Sequence, residues 1–143
     1  MCKEYQVIEH MADIGLKVFG KTRRKLFENA ARGMFFIITG CSGCAKQKDQ
    51  HYLKIKCEGA DIEDLLVKWL SELLYIHTAD LVILNDFSIE YLTDNHLQAK
   101  SRGIRINQYP YNIEMEIKAV TYHNLQVIKN EKGCWETTVV FDI

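Results

Sequence analysis

Apolar and polar positions repeat with two different periods along this chain. Ile14, Leu16 and Val18 alternate with Gly15, Lys17 and Phe19, which predicts a strand with two unequal faces. Val7 and Ile8 predict a short strand before it. Gly20 closes the second strand, and Thr22 stands where a helix N-cap is wanted. Phe27, Ala30, Ala31, Met34, Phe35 and Ile38 then form one apolar stripe at helical spacing. The two alanines would let this helix approach a sheet closely. Gly40 and Gly43 end the pattern. Leu53, Ile55 and Cys57 alternate with lysines, so residues 51 to 58 read as a strand. Asp61 is placed to cap a second helix. Its stripe of Ile62, Leu65, Leu66, Trp69, Leu70, Leu73 and Leu74 is the strongest helical signal in the chain. Burying such a stripe is worth on the order of 10 kcal/mol before entropy is subtracted.

Residues 81 to 102 predict two strands around a turn at Thr93-Asp94-Asn95, and residues 103 to 112 read as irregular. Ile113, Met115, Ile117, Ala119 and Thr121 would face one way on a further strand, with Glu114, Glu116, Lys118 and Tyr122 on the other face. A turn at Asn130 to Gly133 leads to a last strand, Trp135 to Phe141. This order predicts an α+β domain: a largely antiparallel β-sheet with two amphipathic helices packed on one face of it.

Composition narrows the picture. A length of 143 residues fits a single domain over 1–143, and 48% hydrophobic content suits a chain that folds without disulfides or metal. Eighteen basic and nineteen acidic side chains leave a formal net charge of -1, which argues against a broad basic surface for nucleic acid but leaves a local patch open. The longest uninterrupted apolar run, Met34 to Ile38, falls far short of the roughly 20 residues a bilayer requires. No secretory hydrophobic stretch opens the chain. Its five scattered cysteines therefore read as reduced thiols of a cytoplasmic protein.

Few side chains are marked for chemistry. His10 and Asp13 lie at the entry to the second strand, and Asp142 at the exit of the last. If those strands are neighbours, two carboxylates and a main-chain oxygen would make an all-oxygen site suited to Ca²⁺ or Mg²⁺. The blander alternative makes Asp13 a turn cap and Asp142 a solvated acid. Cys41-Ser-Gly-Cys44 has the spacing of a zinc knuckle or a redox pair, but only His51 and Cys57 stand near enough to complete a zinc site. The alternative is incidental loop thiols. Lys21, Arg23, Arg24 and Lys25 cluster at the start of the first helix; a solvated face competes there with phosphate contact. His123 could act as a base, though a lone strand histidine is more often structural, and nothing marks Lys118 as a nucleophile. No phosphate-cradling glycine loop, Gly-x-Ser-x-Gly elbow or His-Glu-x-x-His helix is present.

Three stretches together resemble the archease family. They are His10-Met-Ala-Asp-Ile-Gly-Leu16 with Leu26-Phe-Glu-Asn-Ala-Ala-Arg-Gly-Met34; Asp64-Leu-Leu-Val-Lys-Trp-Leu-Ser-Glu-Leu-Leu-Tyr75; and Ile117-Lys-Ala-Val-Thr-Tyr-His-Asn-Leu125 closed by Val139-Val-Phe-Asp-Ile143. The resemblance covers nearly the whole chain. It implies an accessory activator, not a free-standing enzyme. Its partner would be the tRNA-splicing RNA ligase, which joins 2′,3′-cyclic-phosphate or 3′-phosphate ends to 5′-hydroxyl ends. The activator promotes guanylylation of the ligase histidine and multiple turnover, and broadens nucleotide use; tRNA would be met only through the ligase. A chaperone-like module for RNA- or DNA-modifying enzymes such as methyltransferases is the alternative. A hydrolase built on the same acidic site ranks below both, since only His10 could serve as its base. The resemblance also implies a divalent cation, Ca²⁺ foremost with Mg²⁺ or Mn²⁺ as substitutes. Its ligands would be Asp13, Asp142 and the main-chain oxygen of Ile143. His10, Lys118 and His123 are further candidates for contacts around the cation or with the partner. A small insertion after the first helix would hold residues about 39 to 58. Two departures stand out: Met11 replaces the family's common threonine, and Gly103-Ile-Arg-Ile-Asn107 replaces an acidic loop.

Overall fold

The computed structural model describes residues 2–9, 11–41, 50–108 and 112–143. Two short β-strands open the chain, β1 (Tyr5–Glu9) and β2 (Asp13–Gly20), followed by α1 (Arg23–Thr39). Next come β3 (His51–Glu58), α2 (Ile62–Asp80) and the hairpin of β4 (Val82–Leu92) and β5 (His96–Arg105). A short 3-10 turn, Ile106–Gln108, precedes β6 (Ala119–Val120), β7 (Ile128–Lys129) and β8 (Trp135–Asp142). The α+β expectation holds, with a refinement. The strands divide into two sheets: one ordered β1-β2-β8-β6, with β7 also on β8, and one ordered β3-β5-β4. Every pairing in both is antiparallel.

Both helices pack on both sheets, α1 against β2 and β4, α2 against β3, β4 and β6. The inner face of the larger sheet is Ile14, Leu16 and Val18 of β2 beside Val139 and Phe141 of β8, all buried. On the helices, Phe27, Met34, Trp69 and Leu70 are fully buried, as the stripes predict. Trp69 Nε1–H donates to the Phe27 carbonyl at 3.0 Å, joining the helices at their crossing. Both expected caps form. The Thr22 hydroxyl accepts from Lys25 N–H at 3.0 Å, and the Asp61 carboxylate accepts from Asp64 N–H at 2.8 Å. Gly40 ends α1 in the left-handed region (φ 69°) and donates to the Phe36 carbonyl.

Three stretches differ from the sequence reading. Residues 113 to 118 form no strand. The N–H groups of Glu114 and Met115 are spent on the Ile38 carbonyl near the end of α1, which ties the start of the segment to that helix. Only Ala119–Val120 joins the sheet, on β8. Residues 103 to 105 are not irregular but complete β5. A Cβ on Gly103 would overlap the Ile83 carbonyl, so glycine here permits close approach at the irregular β4–β5 register instead of ending the strand. The cysteines are not all reduced thiols: Cys2 and Cys134 form a disulfide, Cys41 is also disulfide-bonded, and Cys57 is free. Within the span 39 to 58, residues 51 to 58 are β3, an edge of the smaller sheet, while Cys44 lies outside the described residues. Among the described residues, no helix is long and apolar enough to cross a membrane.

Candidate metal centre

The alternation that buries Ile14, Leu16 and Val18 turns Asp13, Gly15, Lys17 and Phe19 to the other face of β2. On β8 the same logic buries Thr137, Val139 and Phe141 and turns Asp142 outward. In the β2–β8 ladder Asp13 stands directly opposite Asp142. Directly paired residues share a face with Cβ atoms about 5 Å apart, so the two carboxylates project side by side. Asp13 is half-buried and Asp142 exposed. Ile143 follows at once and packs its side chain against the core, which fixes its backbone beside the pair. On the far side Ala119 pairs with Asp142, and Lys118 N–H donates to the Asp142 carbonyl at 2.8 Å. That carbonyl is thus engaged within the sheet.

Two like charges directly opposed on a sheet repel. A hard divalent cation between them would turn that cost into binding energy, and carboxylate and main-chain oxygens suit Ca²⁺ or Mg²⁺ better than softer metals. The donor chemistry therefore fits the ion that the sequence reading assigned to Asp13, Asp142 and Ile143. Among the described residues no group of three or more His, Cys, Asp or Glu side chains converges as a metal site. Such a centre would rest on two acids and main-chain oxygen.

The remaining candidates scatter. His10 lies outside the described residues. Lys118 adjoins Asp142 through its backbone. His123 is exposed and sits beyond Thr121, whose N–H bonds the Val140 carbonyl, so it is displaced along β8 from Asp142. The Cys41 sulfur is committed to a disulfide. The basic cluster is largely paired: Arg23 bonds Asp94 at 2.7 Å and covers the Trp135 ring, Arg24 donates to the Glu90 carbonyl, and Lys25 reaches Glu28 at 3.3 Å.

One network escaped the sequence reading. The Tyr122 hydroxyl donates to Asp64 at 2.6 Å, and Val127 N–H donates to Glu63 at 2.9 Å. The acids in the first turn of α2 thereby anchor the loop carrying His123. The phenol hydrogen bond, with a second from Ala60 N–H, holds the Asp64 carboxyl below its ordinary value and raises the Tyr122 hydroxyl. Glu63 and Asp64 stand in the first turn of α2, where the helix dipole favours acids, but nothing in the sequence names their loop partners.

Comparison with known proteins agrees with this architecture. The sequence model of the Archease protein family (MTH1598/TM1083) matches residues 5–143. A "Protein archease" of Methanosarcina barkeri is 36% identical over 145 aligned residues, covering 99% of this chain and 97% of its own. One from Archaeoglobus fulgidus is 34% identical, covering 98% and 99%. The solution structure of Protein 1598 from Methanobacterium thermoautotrophicum superimposes with a TM-score of 0.75 at 28% identity, covering 97% of this chain and 98% of the other. A Thermotoga maritima crystal structure, described as an archease and possible chaperone, gives 0.65 at 26% identity, covering 100% and 98%. This chain belongs to the archease family.

Proposed function

We propose that this protein is an accessory activator of the tRNA-splicing RNA ligase, promoting guanylylation of the ligase histidine and multiple turnover. The observation that carries the reading is the direct pairing of Asp13 with Asp142 across β2 and β8, on the face turned away from the core. Asp13, Asp142 and the Ile143 main-chain oxygen would hold a divalent cation, calcium foremost. When bound, it supplies positive charge to phosphate oxygens of a nucleotide or RNA end in the partner's active site. The chain's own part is to hold the acids in register and to present them on a sheet. An activator need only favour the competent ligase conformation, and a bias of about 1.4 kcal/mol changes its population ratio tenfold.

The test is ligase guanylylation with and without this protein. Asp13→Ala and Asp142→Ala should each abolish the stimulation while the circular dichroism spectrum stays native. Full stimulation by both variants would overturn the cation-centred reading. The second reading, a chaperone-like module for RNA- or DNA-modifying enzymes, draws support from the description of the Thermotoga maritima relative as a possible chaperone. Recovery of a methyltransferase without the ligase in affinity capture from a lysate would favour it.

A further inference from the structure

The smaller sheet also has an outward face, and its composition is unlike that of the Asp13–Asp142 face. On β3, Tyr52, Lys54, Lys56 and Glu58 point away from buried Ile55. On β5, His96, Gln98, Lys100 and Arg102 alternate with buried Leu97, Ala99 and Ser101. The register aligns Tyr52 with Arg102 and Asp86, Lys54 with Lys100 and Ser88, and Lys56 with Gln98 and Tyr91. Two tyrosines therefore stand at opposite corners, 75% and 50% exposed. By strand rise and spacing they are roughly 16 Å apart. The lysines run between them.

The partners on this face are unevenly shared. Arg102 is ion-paired with Asp86 at 2.7 Å and hydrogen-bonded to Tyr52, which steadies the Tyr52 ring. Lys100 reaches Glu90 at 3.3 Å. Lys54 and Lys56 have no ion pair among the described residues. Lys54 is also directly opposite Lys100, a like-charge pairing whose second member already reaches Glu90. An acidic polypeptide would satisfy the lysines but would leave the two bare rings without a role. A single-stranded nucleic acid uses both, with phosphates on lysines and unpaired bases stacked on aromatic faces. The net charge of -1 argues against a broad basic surface, not against a row of this size.

We infer that this face binds a short single strand of nucleic acid, with Lys54, Lys56 and Lys100 against phosphates and Tyr52 and Tyr91 beneath two bases. The site lies on the other sheet from Asp13 and Asp142, and the inference stands independently of the ligase reading.

Fluorescence anisotropy tests it, with labelled oligouridylate and oligothymidylate of about 12 nucleotides distinguishing RNA from DNA. Binding of either strand is expected, with log K falling by about 2 for each tenfold rise in salt, as three phosphate contacts require. The pair Lys54→Glu and Lys56→Glu should weaken it at least tenfold. The pair Tyr52→Ala and Tyr91→Ala should weaken it about tenfold, whereas Tyr52→Phe and Tyr91→Phe, which keep the rings, should bind like the wild type. Circular dichroism confirms the fold of each. No binding of either strand overturns the proposal, as does equal loss in the alanine and phenylalanine pairs. Equal competition by polyglutamate at matched charge would identify an acidic polypeptide as the occupant instead.

Discussion

His77 is buried near the C-terminal end of α2, one turn beyond Leu73 and Leu74 on the same stripe. Its ring meets Phe35 edge-on at 5.7 Å, and Nδ1 lies 2.8 Å from the Val82 carbonyl. A carbonyl only accepts, so Nδ1 carries the proton in that bond. Burial holds the imidazole below its ordinary 6.5, partly opposed by this hydrogen bond. The unfolded chain therefore takes up the proton first as pH falls, and stability is lost once pH drops below about 6.5. Urea midpoints measured at pH 7.5 and pH 5 should fall more for the wild type than for His77→Gln; equal falls would remove His77 from the acid response. The sequence shows this histidine on a helical stripe but not its depth, because its carbonyl partner belongs to the next strand. Asp13 and Asp142 were legible in the same partial way. Each acid sits visibly at a strand end, and the family resemblance coupled them, yet only the β2–β8 register places one opposite the other.

At the scale of elements, local signals served where the backbone satisfies itself. Both helices carry their caps and stripes within their own residues, so Thr22, Asp61 and Gly40 could be read directly. Strands failed where a distant group competes for the backbone. Residues 113 to 118 alternate as a strand should, but the N–H groups of Glu114 and Met115 bond the Ile38 carbonyl. The close approach of α1 to β2 is a similar long-range fact. The two alanines hinted at it, but the packing is also close at Gly33, where an added Cβ would meet Leu16 Cδ2 at 2.6 Å. Leu16 is fully buried and cannot swing aside. Gly33→Ala gains about 1 kcal/mol in helix propensity, but forced overpacking costs roughly 1–3 kcal/mol. The variant should be less stable in urea by about 1 kcal/mol; a gain in stability would show that β2 yields to the helix.

For the whole molecule, the first covalent constraint is the Cys2–Cys134 disulfide, whose partners are 132 residues apart. No spacing rule could pair them, and the expectation of reduced thiols missed them. Closing so long a loop restricts the unfolded chain, and chain-entropy reasoning gives on the order of 4–5 kcal/mol. A thiol reductant should lower the unfolding midpoint of the wild type more than that of Cys2→Ser. Cys41 is disulfide-bonded in both chains and the reductant opens that bond in each, so the difference isolates the long link. Coincident shifts would mean that the link contributes nothing.

The Asp13–Asp142 pair reaches the same scale, because it joins β2 to β8 in the middle of the larger sheet. With a chelator present, two opposed carboxylates repel by roughly 0.2–1 kcal/mol, so Asp142→Asn should be slightly more stable than the wild type. With calcium in excess the order should invert. An ion that binds the folded state alone stabilises it by about 2.7 kcal/mol at a hundredfold excess over its dissociation constant, and the variant has lost one charged ligand. Thermal unfolding of both chains, with chelator and then with calcium, reads the crossing without any ligase present. A midpoint of the wild type that calcium, magnesium and manganese all leave unmoved would remove the acids from cation binding, and activation of a partner would then need another surface.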